Sequence, residues 1–378
     1  MRTECRPVLA ACYAAAIAVG CGSPVQGGIN TRLAALLGDG VATTPSNVTA
    51  AAAVSFGTGL ACLVVMNAAQ TLWLWRRRQP IGLRPPRHAW ECIGGVLGSC
   101  VMVLSLLSLP RIGFASFSVL RAAGASAASL SLDHLGGCGV VVRRVTRRRL
   151  LGVGLMILGS LLATSHREDV GVASAEGSTA GAPAYFALMA LVGGALLPLQ
   201  ASVNGRLAAR LGAPLRATLV SFVAGLGCLA MGVALLGPPA GAAAALGAVP
   251  GWLLLGGPLG LMLVTSNLIL PGYIGFASTT SFTIAGNLGC SLLLDATGSF
   301  NLGARPPSAV RLAGAACALV GAALSVAPRP GAAATAAVSA AAAEADKGLS
   351  LASADAAGAA PPQMEAREPA AAEGDDAS

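Results

Sequence analysis

The sequence repeats itself. Residues 18–38, AVGCGSPVQGGINTRLAALLG, return at 192–212 as VGGALLPLQASVNGRLAARLG, so Pro24, Gln26, Asn30, Arg32, Leu33 and Gly38 align with Pro198, Gln200, Asn204, Arg206, Leu207 and Gly212 at a spacing of 174. Ser55-Phe56 matches Ser221-Phe222 at a spacing of 166. Trp90, Gly94, Gly95, Gly98, Gly113-Phe-Ala-Ser116, Asp133, Gly136 and Gly159 match Trp252, Gly256, Gly257, Gly260, Gly275-Phe-Ala-Ser278, Asp295, Gly298 and Gly321 at 162. Self-similarity on this scale constrains the fold before any local feature does. One unit was duplicated, and the body of the chain is built from two copies.

The medium follows from composition. Of 378 residues, 55% are apolar and 11% charged, and mean hydropathy is +0.72. A soluble domain carries about 25% charged residues, so this body belongs in a bilayer. A spanning helix needs about 20 mostly apolar residues. Ten segments qualify: 8–29, 48–75, 89–109, 112–132, 149–165, 183–203, 215–237, 250–271, 274–295 and 308–327. The expected fold is an all-α polytopic membrane protein, with a first five-helix repeat over 1–165, a linker at 166–182 and a second repeat over 183–327.

Arginine sets the orientation, because cytoplasmic flanks collect Lys and Arg. Arg76, Arg77, Arg78, Arg84 and Arg87 follow the second segment, and Arg143, Arg144, Arg147, Arg148 and Arg149 follow the fourth. Both clusters are cytoplasmic if the amino terminus is, and Arg206, Arg210 and Arg216 then fall on the same side, while Arg32, Arg111, Arg167 and Arg305 lie outside. Five spans per copy is odd, so the second copy enters the membrane inverted. Inverted repeats are the architecture of many secondary transporters, with the site near the midplane where the copies meet. Location in the plasma membrane with both termini cytoplasmic is expected.

Arg2 and Arg6 ahead of an apolar run resemble a signal peptide, and Leu9-Ala-Ala-Cys12 resembles a lipoprotein cleavage box. The apolar run before Cys12 is only about five residues where a signal needs 7 to 15, and the segment is the repeat partner of an internal helix, so it reads as the first span. At the other end, residues 328–378 carry 8 of the 16 acidic residues, three bases and no aromatic side chain. That composition predicts a disordered tail. Without it the body has 21 basic against 8 acidic residues, charges that suit anionic lipid headgroups. The bases flank spans and form no separate basic domain, so nucleic acid is not an expected partner.

Catalytic constellations are not evident. The ten cysteines contain no C-x-x-C pair and read as small apolar packing residues. His88, His134 and His166 sit beside predicted membrane boundaries and form no H-E-x-x-H pattern. Nucleophile elbow, phosphate loop and dinucleotide fingerprint are all missing, so no cofactor, no metal and no enzyme activity is expected.

Polar residues inside the spans are the candidate site. Gln26 and Asn30 share one helical face just after Pro24 and among Gly20, Gly22, Gly27 and Gly28, and Gln200 and Asn204 repeat the arrangement after Gly193, Gly194 and Pro198. Matching Gly/Pro-interrupted segments in two halves point to a transport site, with interhelix hydrogen-bonding the competing role. Arg121 falls near the middle of the fourth span, where a charge costs about 2.5 to 3.5 kcal/mol on insertion scales and faces a cavity or a partner. Its repeat counterpart is Thr283, so duplication does not require it; pairing with carbonyls is the structural alternative to a role in binding an anionic or carbonyl-bearing substrate. Asp133 and Asp295 at matching helix ends read as solvated caps. Gly94-x-x-x-Gly98 and Gly256-x-x-x-Gly260 read as close-packing motifs, and Trp73, Trp75, Trp90 and Trp252 as an interfacial aromatic belt.

The shared elements G-x-x-x-P-x-Q-x-x-x-N-x-x-L-x-x-x-L-G, S-F-x-x-G, G-F-A-S and L-D-x-x-G resemble the YdcZ-like branch of the drug/metabolite transporter superfamily, multipass inner-membrane exporters. The resemblance covers about residues 10–327 as two tandem copies. It implies a ten-helix fold of inverted five-helix repeats and alternating-access transport of a small molecule, without naming one. The branch has a polar A-G-Q turn in the fourth helix of each repeat, and Ala125 and Asn287 stand here at the Gln position. Asn287 is therefore a further candidate, and Asn267 completes the set with Gln26, Asn30, Arg121, Gln200 and Asn204. The expected function is export of a small-molecule substrate driven by its own gradient or a coupled ion; the alternative is a non-transporting membrane scaffold or sensor.

Overall fold

The computed structural model describes residues 5–38, 40, 44–78, 85–135, 146–165 and 182–325. The tail at 328–378 and most of the predicted linker lie outside these residues. Among them there are helices and no strand: α1 (Cys5–Leu37), α2 (Pro45–Arg76), α3 (Gly94–Ile112), α4 (Phe114–Leu135), α5 (Arg147–Ser165), α6 (Ala182–Leu211), α7 (Pro214–Leu236), the six-residue α8 (Ala242–Gly247), α9 (Gly256–Thr297) and α10 (Ala309–Ser325).

Among the described residues, six helical segments are long and apolar enough to cross a membrane: Val8–Leu37, Pro45–Arg76, Gly94–Ile112, Ala184–Leu211, Pro214–Leu236 and Gly251–Leu270. Ten were expected. The difference has local causes. α4 carries Arg121 and a run of serines, α5 opens on Arg147, Arg148 and Arg149, and α10 has only 17 residues. The apolar character of the spans faces outward as well as inward. Leu235 is 80% exposed and Val65 68%, which is the pattern of a surface that meets lipid rather than water.

The expected break between 271 and 274 is absent, because α9 is helical over 42 residues. It is nevertheless not straight. A Cβ on Gly20 of α1 would meet the carbonyl of Thr283, and one on Gly22, two residues on, would meet Met262. A straight helix would hold Met262 and Thr283 about 31 Å apart. α9 must bend between them, and Pro271 and Gly272 lie within that stretch; Pro and Gly are the usual sites of a sharp kink. Leu270 and Ile274, on either side of the pair, both pack with Ala16 and Val19 of α1. In the first copy the chain does break. Gly113 adopts a φ of 82° between α3 and α4, a value that a side chain would strain. Pro24 and Pro198, by contrast, lie inside unbroken helices, so the irregular backbone expected around them does not occur.

The same contacts occur twice with the copies exchanged. α1 packs along α9, and α6 packs along α3 and α4; α2 meets α7, and α5 meets α10. A Cβ on Gly95 would collide with the Ser221 carbonyl, and one on Gly257 with the Ser55 carbonyl. Gly159 meets the Gly314 carbonyl and Gly321 that of Gly152. At the centre the equivalent residues Phe56 and Phe222 face each other with ring centroids 4.9 Å apart, a contact worth about 1 kcal/mol beyond burial. They belong to a core with Val48, Leu63, Leu106, Leu229 and Leu261. Asn47 begins Asn47-Val-Thr49, which matches the N-glycosylation acceptor pattern, and it is buried at 5% exposure against Gly38.

Candidate functional site

α1 presents a polar stripe. Ser23, Gln26 and Asn30 are spaced by three and four residues, so they stack on one helical face, and all three are buried, Asn30 completely. The stripe meets the second copy at its glycines: Cβ atoms built on Gly256 and Gly260 of α9 would run into the Asn30 and Gln26 amides. α6 repeats this with Asn204 against Gly94 and Gln200 against Gly98 of α3. The two Gly-x-x-x-Gly motifs thus do not receive a bare helix backbone. Each receives the Gln/Asn pair of the other copy, because only glycine leaves room for an amide side chain at such a close crossing.

The two asparagines are poorly satisfied among the described residues. Asn30 donates only to the Met102 sulfur, at 3.5 Å, a weak acceptor. Asn30 Oδ1, Ser55 Oγ and both side-chain polar atoms of Asn204 are buried and bond to no protein atom among the described residues. A buried polar atom without a partner costs about 1 to 3 kcal/mol.

Arg121 comes from α4 to the same stripe. Its guanidinium donates to Ser23 Oγ and lies 5.5 Å from the Phe117 ring. Asn287 is buried, and its backbone N–H packs against Gly20, one turn before Ser23 on α1. Asn267 is exposed and is not gathered with the others. The structure therefore brings Gln26, Asn30, Arg121 and Asn287 around one face of α1, leaves Gln200 and Asn204 at the equivalent face of α6, and separates Asn267.

Two ion clusters, one at each end of α3, about 28 Å apart, escaped the sequence reading. At the arginine-rich end, Glu91 is fully buried, 3.0 Å from Arg210 Nε and 3.8 Å from Arg206 Nε, and Arg206 lies over Trp90 at 5.1 Å. An open cleft of about 530 Å³ between Pro85, Arg87, Arg206, Ala209 and Arg210 lies alongside; none of the predicted pathway residues lines it. At the other end Asp295 is not a solvated cap. It is 3% exposed and accepts from the backbone N–H groups of Phe114 and Ala115 at 2.9 Å and from Arg311 at 3.1 Å. A carboxylate at a helix N-terminus satisfies free N–H groups and the helix dipole, and here the helix it caps belongs to the other copy. Arg305, beside it in the loop before α10, also donates to the Pro110 carbonyl at 3.5 Å. The side chain of Asp133 lies outside the described ones.

Comparison with known proteins places this arrangement. A family profile described as "Putative inner membrane exporter, YdcZ" matches residues 11–162 and again 185–324. A solved structure titled only "Crystal structure of protein" is similar over 84% of this chain and 96% of that one, with 17% identity and a TM-score of 0.50; at that identity the likeness concerns the fold alone. No curated protein matches.

Proposed function

This chain belongs to the YdcZ family of the drug/metabolite transporter superfamily, as two tandem copies in an integral membrane protein, and from that premise we propose that it moves a small molecule across the plasma membrane by alternating access, in the direction of export. The reading takes the two legs of bent α9 as separate spans. Each copy then has five, over 1–165 and 183–327, and the second copy is inverted with both termini cytoplasmic.

The observation that carries the proposal is the pair of swapped amide–glycine contacts with unsatisfied atoms, Asn30 against Gly256 and Asn204 against Gly94. Buried polar groups are bonded in proteins built only for stability. Amides that forgo their partners at the interface between two halves are available to a solute that passes there. The Glu91 and Asp295 clusters tie the copies together at either end of α3, and alternation requires one to part while the other holds. No nucleotide-binding motif is present in the sequence, so the driving force is the solute's own gradient or a coupled ion.

Reconstitution is the direct test: purified protein in liposomes moves a solute down its gradient, and a body that folds, inserts and moves none across a broad metabolite panel is a scaffold or sensor. Topology has its own test. Single cysteines at 39–46 and 171–178 should react with an impermeant reagent added outside, and those at 80–86 and 350–360 should not. Labelling of the last two overturns the orientation.

A further inference from the structure

We infer that the solute is a small organic monoanion, recognised through its carboxylate by Arg121. The inference rests on the transporter reading and adds the chemistry of what is carried.

Two other arginines withdrawn from the surface, half-buried Arg210 and buried Arg311, have carboxylates. Arg210 has Glu91 and Arg311 has Asp295, at 3.0 and 3.1 Å. Arg121 has none within ion-pair distance among the described residues. Its guanidinium, with five N–H donors, spends one nitrogen on Ser23 Oγ and rests near the Phe117 ring. A cation at membrane depth that is served only by a hydroxyl and an aromatic face is left uncompensated.

Packing does not explain it. The carbonyl of Arg121 abuts Gly194 of α6, and the carbonyl of Thr283, the repeat counterpart, abuts Gly20 of α1. The structural role of the position is a backbone contact, and threonine performs it as well. What arginine adds in the first copy is the charge alone. Thr283 in turn carries a buried hydroxyl with no partner among the described residues. Gly20, which its carbonyl touches, and Ser23, which receives Arg121, lie one turn apart on the same side of α1. The guanidinium, the Ser23 hydroxyl and Thr283 therefore border one stretch of α1.

The charge count selects the ligand. One guanidinium neutralises one negative charge, so a monoanion leaves the site neutral in a medium that penalises net charge. A phosphate monoester leaves it negative and an organic cation makes it doubly positive. The planar fork suits a bidentate carboxylate, and the remaining hydroxyl hydrogen of Thr283 has an oxygen to meet.

The test uses the full chain in detergent and measures thermal stabilisation by benzoate, nicotinate, lactate and pyroglutamate, each against its own amide. The expected result is stabilisation by at least one acid and not by its amide. Binding should fall more than a hundredfold in Arg121→Gln, and about tenfold in Thr283→Val, the loss of one hydrogen bond. If Arg121→Gln fails to fold, the acid–amide comparison and Thr283→Val decide alone. Equal stabilisation by acid and amide, undiminished binding in a folded Arg121→Gln, or no response to any acid each overturns the inference. Flux in proteoliposomes separates the two readings. An acid that binds through Arg121 and is not moved removes the transporter while keeping the anion site. Flux of neutral or cationic solutes, unchanged in Arg121→Gln, does the reverse.

Discussion

Alanine at Asn30 or Asn204 is expected to abolish solute flux in proteoliposomes, by at least tenfold, while leaving yield and monodispersity at the parent level. The usual argument for an intramembrane amide is that it binds helices together, and such bonds average about 0.6 kcal/mol. Here the amides make almost none. Among the described residues Asn204, 1% exposed, has no partner for either polar side-chain atom, and Asn30 has none for its oxygen. Removing an unsatisfied buried group relieves its desolvation cost, so the thermal midpoint of Asn204→Ala should hold or rise. Transport and stability then move independently. A fall in midpoint with flux retained would return these residues to a structural role and move the search for the pathway elsewhere.

Asp295→Ala is expected to be the most destabilising single change in the body, costing about 3 to 5 kcal/mol. The carboxylate accepts two backbone N–H groups at the start of α4 and the Arg311 guanidinium, with Arg305 beside it. Its loss leaves a buried cation unpaired, the situation in which breaking an ion pair costs most, and frees the two N–H groups as well. A midpoint drop on the order of 10 °C in detergent follows, with a smaller drop for Asp295→Asn, which can still accept one N–H. A solvated cap would lose only about 1 kcal/mol. A drop of two or three degrees would therefore restore the role that the sequence suggested for Asp295 and contradict the buried contact across the copies.

Glu91 and Asp295 illustrate how far a linear reading reaches. They are the only carboxylates inside the ten predicted spans, which was a signal in itself. A carboxylate within an apolar segment either has a cation or does not belong there. Position along the chain could not say which cation, since Arg210 lies 119 residues from Glu91 and on the other copy. The same limit applies to the glycine motifs. Gly94-x-x-x-Gly98 announced a close crossing, but only the packed helices place Gln200 and Asn204 in it. Ser23 went unnoticed because a serine in a membrane helix ordinarily bonds its own backbone; its meaning came from Arg121, 98 residues away.

By itself the sequence determined the duplication, the membrane, the helical class and the residues worth suspecting, because these follow from periodicity, hydropathy and the cost of polar groups in lipid, all of which act along the chain. Only the tertiary structure decided which polar face meets which glycine, which carboxylate answers which arginine, and that the chain stays helical through Pro271-Gly272 while at Gly113 it breaks. Those outcomes depend on contacts between residues far apart in sequence. Two copies that share a pattern, such as Arg121 and Thr283 opposite equivalent glycines, can then be given different work by a single side chain.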